Sequence, residues 1–268
     1  MYKETEMSSA QYLHATQTDL PRLKQLWTRC FPQEDPLRTG RFFSTLFSCD
    51  ICYVAKEGDK LLCAVYALPY EARLDGAPHR VVYLYRAMTE PAHRGRGIFT
   101  ALHAYLCKEL AEQGFELLFL LPPTEDQLKV WLKKPGYRTL FYRSGFYTPS
   151  LPSGFVFLPP QPRLLYEIYR RSRANAPGFH ILEDYCSFCF TLEGKQVALD
   201  LSGREAAGYV IYSRRGEGFI IHDYPAIGKK RLCGAGRTVP GAPAMPLGNG
   251  ELFDRLYKTK PRLNFLLN

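Results

Sequence analysis

The segment from Val81 to Gly114 constrains the fold of this chain more than any other part of its sequence. A segment rich in β-branched and aromatic residues at 81–88 precedes the turn His-Arg-Gly-Arg-Gly at 93–97, and apolar residues at helical spacing follow. Glycines let a backbone curl until several amides converge, and a helix start adds positive potential. Strand, turn and helix in this order predict a pyrophosphate site, although the turn has neither the Walker nor the GxGxxG pattern.

The sequence around this segment predicts a sheet with helices packed on it. Asp19 and Pro21 are typical of a helix start, because one can cap the helix and the other suits its first turn. Phe115–Leu121 is apolar except at Glu116, as expected for a strand buried on both faces. The expected elements of this half are a helix from Asp19, strands at 51–56, 60–69, 81–88 and 115–121, helices from Gly97 and Thr124, and a strand at 137–147.

The second half of the chain begins after a change in composition. Prolines cluster between Pro149 and Pro162, which indicates a linker or a rigid crossing segment. The strand–turn–strand order at 196–224 then echoes that at 51–88. We interpret this as a weak internal duplication, with chance similarity between β-meanders as the alternative. Gly234–Gly241 is expected to be a loop, because prolines follow where a helix would begin.

Composition excludes several classes of protein. Lys and Arg (35) exceed Asp and Glu (26), and the net charge of +9 should attract anions. The basic residues are dispersed, so we do not expect a nucleic-acid partner. The longest apolar run, Leu61–Leu68, is far shorter than the ~18–20 residues of a membrane span. Met1-Tyr-Lys-Glu has no signal-peptide pattern, so we expect a cytoplasmic protein with no membrane partner.

The cysteines point to a reducing compartment. Eight of them are spread through apolar stretches instead of forming the framework of a short secreted chain. Two CxxC pairs, Cys49 with Cys52 and Cys186 with Cys189, leave a zinc site open. Neither pair lies in a knuckle-type turn, so we interpret the thiols as core residues and expect no metal.

The order of these elements resembles the GCN5-related N-acetyltransferase (GNAT) superfamily. The similarity covers about Asp19 to Tyr147 and is densest from Tyr83 to Tyr137, where Pro-x-x-Arg-Gly-x-Gly opens the helix. It implies an α/β (α+β) fold with a mixed, mainly antiparallel sheet flanked by helices. Residues 1–150 would form a GNAT acetyl-CoA-binding domain. Residues 151–268 would form a second, smaller, degenerate GNAT-like domain with its own sheet, as in tandem acetyltransferases such as the enhanced-intracellular-survival group.

The resemblance also implies which residues hold acetyl-CoA. In this family the loop binds the pyrophosphate through backbone amides, and the preceding strand pairs with the pantetheine arm, so we expect the sheet to splay at this strand. The strand role falls to Ala87, Met88 and Thr89, and the loop role to Arg94, Gly95, Arg96, Gly97, Ile98, Phe99 and Thr100. Phe99 departs from the usual Gly or Ala at a position where the amide makes the contact.

The chain departs from the family at the residue that protonates the leaving thiolate. Leu132 stands where the family often has a tyrosine, four residues before Gly136. A thiol has a pKa of ~8.5, so a thiolate can leave without help, and a positioned acid adds ~10²–10⁴-fold. Tyr142 is the candidate replacement, with a packed strand aromatic as the alternative.

A second catalytic group should take the proton that the acceptor amine loses. Glu71 is the candidate base because it is expected just after a strand, with Tyr85, His222 and Asp223 as alternatives. A backbone amide near Met88 would stabilise the oxyanion.

The function implied is acetyl-CoA-dependent N-acetyltransfer to the amine of a small molecule or peptide. The alternative is a non-catalytic protein, either a coenzyme A-binding protein or a basic nucleic-acid-binding adaptor. The Arg94–Gly97 turn favours the enzyme, and Leu132 favours the alternative. The sequence does not identify the acceptor, because a fold does not fix a function, and it leaves a homodimer open.

Overall fold

The computed structural model describes residues 10–150, 155–157, 161–174, 176–200, 208–223, 235–259 and 261, with the backbone alone at 142–147, 157, 200 and 235–241. The strands are β1 Gln11–His14, β2 Cys52–Glu57, β3 Lys60–Leu74, β4 Ala77–Thr89, β5 Leu117–Phe119, β6 Arg138–Thr148, β7 Phe155–Phe157, β8 Phe179–Leu182, β9 Gln196–Asp200, β10 Gly208–Arg215, β11 Gly218–Asp223 and β12 Ala235–Pro246. The α-helices are α1 Leu20–Cys30, α2 Pro36–Thr45, α3 Ile98–Glu112, α4 Glu125–Leu132, α5 Pro162–Ala174, α6 Tyr185–Leu192 and α7 Glu251–Thr259.

The strands form a mixed sheet that is mainly antiparallel and is flanked by helices, as expected. Its order is β1-β2-β3-β4-β5-β12-β6-β11-β10-β9-β7, and β8 pairs with the far end of β3. Among the pairs of described strands, β4 and β5 alone run parallel.

The two faces of the sheet follow from the alternation of side chains along each strand. Tyr83 and Tyr85 of β4 belong to the same buried cluster as Trp27 of α1. Val82 and Leu84 belong to the opposite cluster, which includes Leu102 of α3. Helices α1 and α3 therefore cover opposite faces of the strand that leads to the glycine turn.

Strand β12 joins the second half of the chain to the first. It lies between β5 and β6, where it pairs antiparallel with both strands. The loop expected at Gly234–Gly241 is therefore wrong for residues 235–241, and the expectation of two separate sheets is also wrong. Prolines cannot donate a ladder hydrogen bond, and β12 accommodates them with register shifts at Pro240–Ala242 and Ala242–Pro243.

Strands β7 and β9–β11 form the far end of the sheet. Helices α5 and α6 pack there around a core of their own, which includes Leu165, Phe188 and Tyr209. The boundary at residues 150/151 stays a prediction, and the internal duplication is not confirmed. The proline-rich segment contains β7, whereas residues 151–154 and 158–160 lie outside the described residues.

The sheet splays between β4 and β5, which confirms the expectation for the strand before the turn. Val81–Tyr83 pairs with Leu117–Phe119, and the pairing stops there. The amide of Leu120 donates instead to the carbonyl of Pro243 in β12 (3.2 Å), so the chain after β5 follows β12. Strand β4 continues along β3 as far as Thr89, which leaves its edge at 84–89 facing the gap.

Candidate active site

A cavity of about 600 Å³ fills the gap between β4 and β5. One wall is β4 from Tyr83 to Ala87, together with Thr89, and the opposite wall is Leu120–Pro123. The end of α1 closes one side with Cys30 and Phe31, and α4 closes another. This cavity, with the adjoining turn and helix start, is called the cleft below.

The glycine turn leads from β4 into α3 at the mouth of the cleft. Gly95 and Gly97 have φ of 76° and 75°, the left-handed region that favours glycine. The first hydrogen bond of α3 runs from the amide of Ala101 to the carbonyl of Gly97 (3.0 Å). The amides of residues 98–100 therefore precede the hydrogen bonds of the helix and are available to an anion, as at other helix starts. Among the described residues, no side chain caps this helix.

Positive side chains flank the turn. Arg94 donates from Nε to the carbonyl of Thr89 (3.2 Å), which holds its guanidinium at the cleft wall. Lys134 follows α4, and its ammonium lies 5.5 Å from the Phe99 ring and 5.6 Å from the Trp131 ring. Both cations line the cleft, so its mouth is electropositive and suited to phosphate groups.

A β-bulge interrupts β4 at the cleft wall. The register with β3 shifts between Tyr85 and Met88, so Arg86 and Ala87 stand opposite one residue, Val65. Arg86 has φ of 50°, a left-handed conformation that is uncommon for a residue with a side chain. Its guanidinium donates to Glu34, which also accepts from Nε1 of Trp27 (2.9 Å).

Tyr85 is part of the same wall. Its hydroxyl is buried, and Arg86 acts on it by a side-chain hydrogen bond and by its charge. Burial raises the pKa of Tyr85, so the phenol keeps its proton at neutral pH. The neutral phenol can donate a proton to a reacting atom, but it cannot accept one as a base.

The sequence of this half matches a protein family. Residues 11–132 match the model of the acetyltransferase (GNAT) domain. These residues are a GNAT domain. No curated protein matches the sequence of the chain.

Solved structures support the GNAT fold across both halves of the chain. A probable N-acyltransferase from Enterococcus faecalis aligns with a TM-score of 0.72 at 16% identity, covering 90% of this chain and 73% of that one. A GCN5-related N-acetyltransferase from Anabaena variabilis gives 0.65 at 16% identity, covering 82% and 59%. One from Kribbella flavida gives 0.63 at 15% identity, covering 82% and 57%. The chain thus spans less than two thirds of the last two proteins, and at this identity the likeness shows the fold alone.

The GNAT domain brings the residues expected to hold the cofactor to one end of the cleft. Ala87, Thr89, Arg94 and Phe99 line the cavity. Gly95, Arg96, Gly97 and Thr100 are exposed at the turn and helix start. Met88 and Ile98 are buried in the core, so only their backbones can take the expected role.

The expected catalytic residues are not brought together with the cleft. Glu71 lies inside β3, pairs with Arg73 (2.7 Å) and lines a separate cavity. It stands opposite Arg80 of β4. Arg80 is six residues before Arg86, so Glu71 lies roughly 20 Å along the strand from the part of β4 that lines the cleft. The backbone of Tyr142 lies on β6, beyond β12 from β5, and its side chain is outside the described part of the structure.

The alternatives for the base in the second half have structural partners. Asp223 is buried, binds Arg173 and accepts from the hydroxyl of Tyr209 (2.6 Å). His222 lies 2.9 Å from the hydroxyl of Ser213. Arg86 and Lys134 line the cleft but were not indicated by the sequence. The bulge that turns Arg86 into the cleft depends on the pairing of β4 with β3.

The described part of the chain contains neither a metal-ligand cluster nor a membrane-spanning helix. Within it, no three His, Cys, Asp or Glu side chains are grouped so that they could hold a metal ion. No helix in the same residues is long and apolar enough to cross a membrane.

Proposed function

We propose that this chain transfers the acetyl group of acetyl-CoA to the amine of a small molecule or peptide. The GNAT domain supports acyl transfer in general. The observation that carries the finer proposal is the cleft between β4 and Leu120–Pro123, which ends at the exposed start of α3.

The residues of the cleft fit coenzyme A. The amides of residues 98–100, with Arg94 and Lys134, suit a pyrophosphate. A Cβ added at Gly95 or Gly97 would meet no atom within 4 Å, so the turn has room for a ligand to approach its backbone. The open edge of β4 at 84–89 can pair with the amides of an extended pantetheine arm, as sheet edges pair with added strands.

Two groups of the chain would act on the reaction. Acetyl-CoA, when bound, supplies the acetyl group as a reactive thioester. A backbone amide of β4 near Met88 would donate to the carbonyl oxygen as negative charge develops there. The phenol of Tyr85, which is protonated at neutral pH, would donate its proton to the leaving sulfur, and the phenolate would then take up the proton that the acetylated amine loses.

The alternative is a coenzyme A-binding protein without turnover. Leu132 supports it, because this residue of α4 cannot donate a proton. Incubation of the protein with acetyl-CoA and a panel of amines decides between the two. Thiol release that depends on an amine, with the acetylated amine identified by mass spectrometry, supports the enzyme. Binding of coenzyme A without such release supports the alternative.

Tyr142 and Glu71 as catalytic groups, the cytoplasmic location and the homodimer stay predictions. The positions of Glu71 and of the Tyr142 backbone favour Tyr85 over either of them for contact with the thioester.

A further inference from the structure

We propose that Arg86 binds a carboxylate of the acceptor, so that the substrate is an amine that also carries a carboxylate group. The inference rests on the proposed function, because it concerns the acceptor side of the same cleft. It starts from the backbone conformation of Arg86.

The backbone at Arg86 is arranged to turn this side chain into the cleft. In a regular strand, the residue after Tyr85 would face α3, on the opposite side of the sheet. The bulge and the left-handed φ of 50° bring the Arg86 side chain instead to the face of Tyr85, where it lines the cavity. Bulges re-aim side chains beside active sites, and strained residues persist where the surrounding structure holds them.

The guanidinium of Arg86 is fixed but not fully used. Its central carbon lies 5.6, 4.9 and 4.8 Å from the rings of Trp27, Phe31 and Tyr85. Glu34 accepts from its Nη2. Nε is buried and has no hydrogen-bond partner in the described part of the chain. A guanidinium has five N–H donors in a fork that matches a carboxylate, so Nη donors other than the one bound to Glu34 remain for a ligand in the cleft.

The charges around this wall favour an anion. Arg86, Arg94 and Lys134 line the cleft, and none of its described lining residues is a carboxylate. Glu34 is occupied by Trp27 and Arg86, which leaves it little capacity to bind a cationic amine. An ion pair that merely tied the segment between α1 and α2 to β4 would explain the bond to Glu34. It would not require the Arg86 side chain to line the cavity.

The test uses acceptors that differ only in the carboxylate. Wild-type protein with acetyl-CoA is assayed with L-phenylalanine, β-alanine and γ-aminobutyrate and with the amide of each. We expect at least one acid to exceed its amide at least ~10-fold in kcat/KM. In Arg86→Met this ratio should fall to about 1, because the acid loses activity and the amide does not. Arg41→Met, which breaks the Arg41–Glu193 pair away from the cleft, is the control and should keep the wild-type ratio.

Folding and binding are controlled separately. Arg86→Met leaves Glu34 without its cation, so the double variant Arg86→Met/Glu34→Gln is assayed beside it. Arg86→Lys keeps the charge without the fork and should lower the ratio less. Equal loss of acid and amide activity in these variants would indicate a structural role and overturn the inference. So would a wild-type preference for the amides, or turnover of none of the acids by protein that binds coenzyme A. Failure of the wild-type protein to bind coenzyme A would instead overturn the proposed function.

Discussion

The guanidinium carbon of Arg86 lies 4.8 Å from the centre of the Tyr85 ring, although the two residues are consecutive in β4. Neighbours in a regular strand point to opposite faces, so the bulge places a phenol and a cation on one wall of the cleft. The wall thus carries the Tyr85 phenol as a proton donor and, next to it, the Arg86 guanidinium as the group proposed to bind an anion.

Tyr85→Phe tests the proton donor. We expect kcat to fall at least ~10-fold with the affinity for coenzyme A unchanged, as for an interaction made mainly in the transition state. Tyr66→Phe is a matched control, because its hydroxyl on β3 is also buried in the described structure, yet it does not line the cleft. Steady-state kinetics with any accepted amine measure the effect. A larger loss in Tyr142→Phe than in Tyr85→Phe would contradict the assignment.

Gly97→Ala tests the turn. Alanine at φ of 75° costs ~1–2 kcal/mol in backbone strain and shifts the amides at the start of α3. We expect the Kd for coenzyme A to rise ~10-fold or more in isothermal calorimetry. Gly58→Ala carries a comparable strain at φ of 55° in the turn between β2 and β3 and has equal space for a Cβ. Equal Kd values in the two variants would mean that the turn does not bind the cofactor.

Lys134→Met tests the electropositive mouth of the cleft. The expected result is a ~3–10-fold weaker binding of coenzyme A, with a difference that shrinks as salt rises, because salt screens exposed charges. Lys129→Met is the control, since Lys129 pairs with Asp126 on α4 and does not line the cleft. Titrations at two salt concentrations measure both variants. A salt-independent difference would show that the Lys134 ammonium does not act through its charge.

The glycine turn could be predicted from the sequence because its conformation depends on local residues. Gly95 and Gly97 adopt the left-handed φ that few other residues tolerate, and the helix start follows directly. Glu71 was expected after the end of a strand, but β3 continues to Leu74, so the residue lies within the sheet. The local sequence does not show where such pairing stops.

Arg86 and β12 could not be predicted because their positions depend on distant partners. The bulge at Arg86 arises because two residues of β4 stand opposite one residue of β3, and this pairing cannot be read from the sequence of β4 alone. Strand β12 pairs with β5, which lies more than a hundred residues earlier, and its prolines are typical of a loop until register shifts accommodate them. Long-range pairing therefore decides both the architecture and the acceptor side of the cleft.

Glu183 predicts a pH dependence of stability. Its carboxyl group is fully buried between β8 and α6, and neither oxygen has a hydrogen-bond partner in the described residues. Burial raises the pKa of Glu183 to about 8, with Arg173 and Lys195 lowering it and Asp223 and Asp184 raising it. The folded state therefore holds a proton that the unfolded state has already lost. This contribution to stability is present below pH ~4.5 and is lost as the pH rises through about 8.

Glu183→Gln should remove the loss of stability that the carboxyl group causes as the pH rises. We expect the variant to melt a few degrees above the wild type at pH 8.5 and close to it at pH 5, where ~2–4 °C corresponds to about 1 kcal/mol. Glu217→Gln, in the exposed turn between β10 and β11, is the control. Differential scanning calorimetry across this pH range gives the answer. The account would be contradicted if the melting temperature of the variant, relative to that of the wild type, were lower at pH 8.5 than at pH 5.

The central claim is that the cleft between β4 and β5 and the start of α3 bind coenzyme A. Calorimetric titration of coenzyme A into the wild-type protein tests it most directly, because it needs no knowledge of the acceptor. The account predicts saturable one-site binding, together with a rise in melting temperature that grows with ligand concentration. Absence of binding at millimolar coenzyme A, with the protein folded, would contradict it.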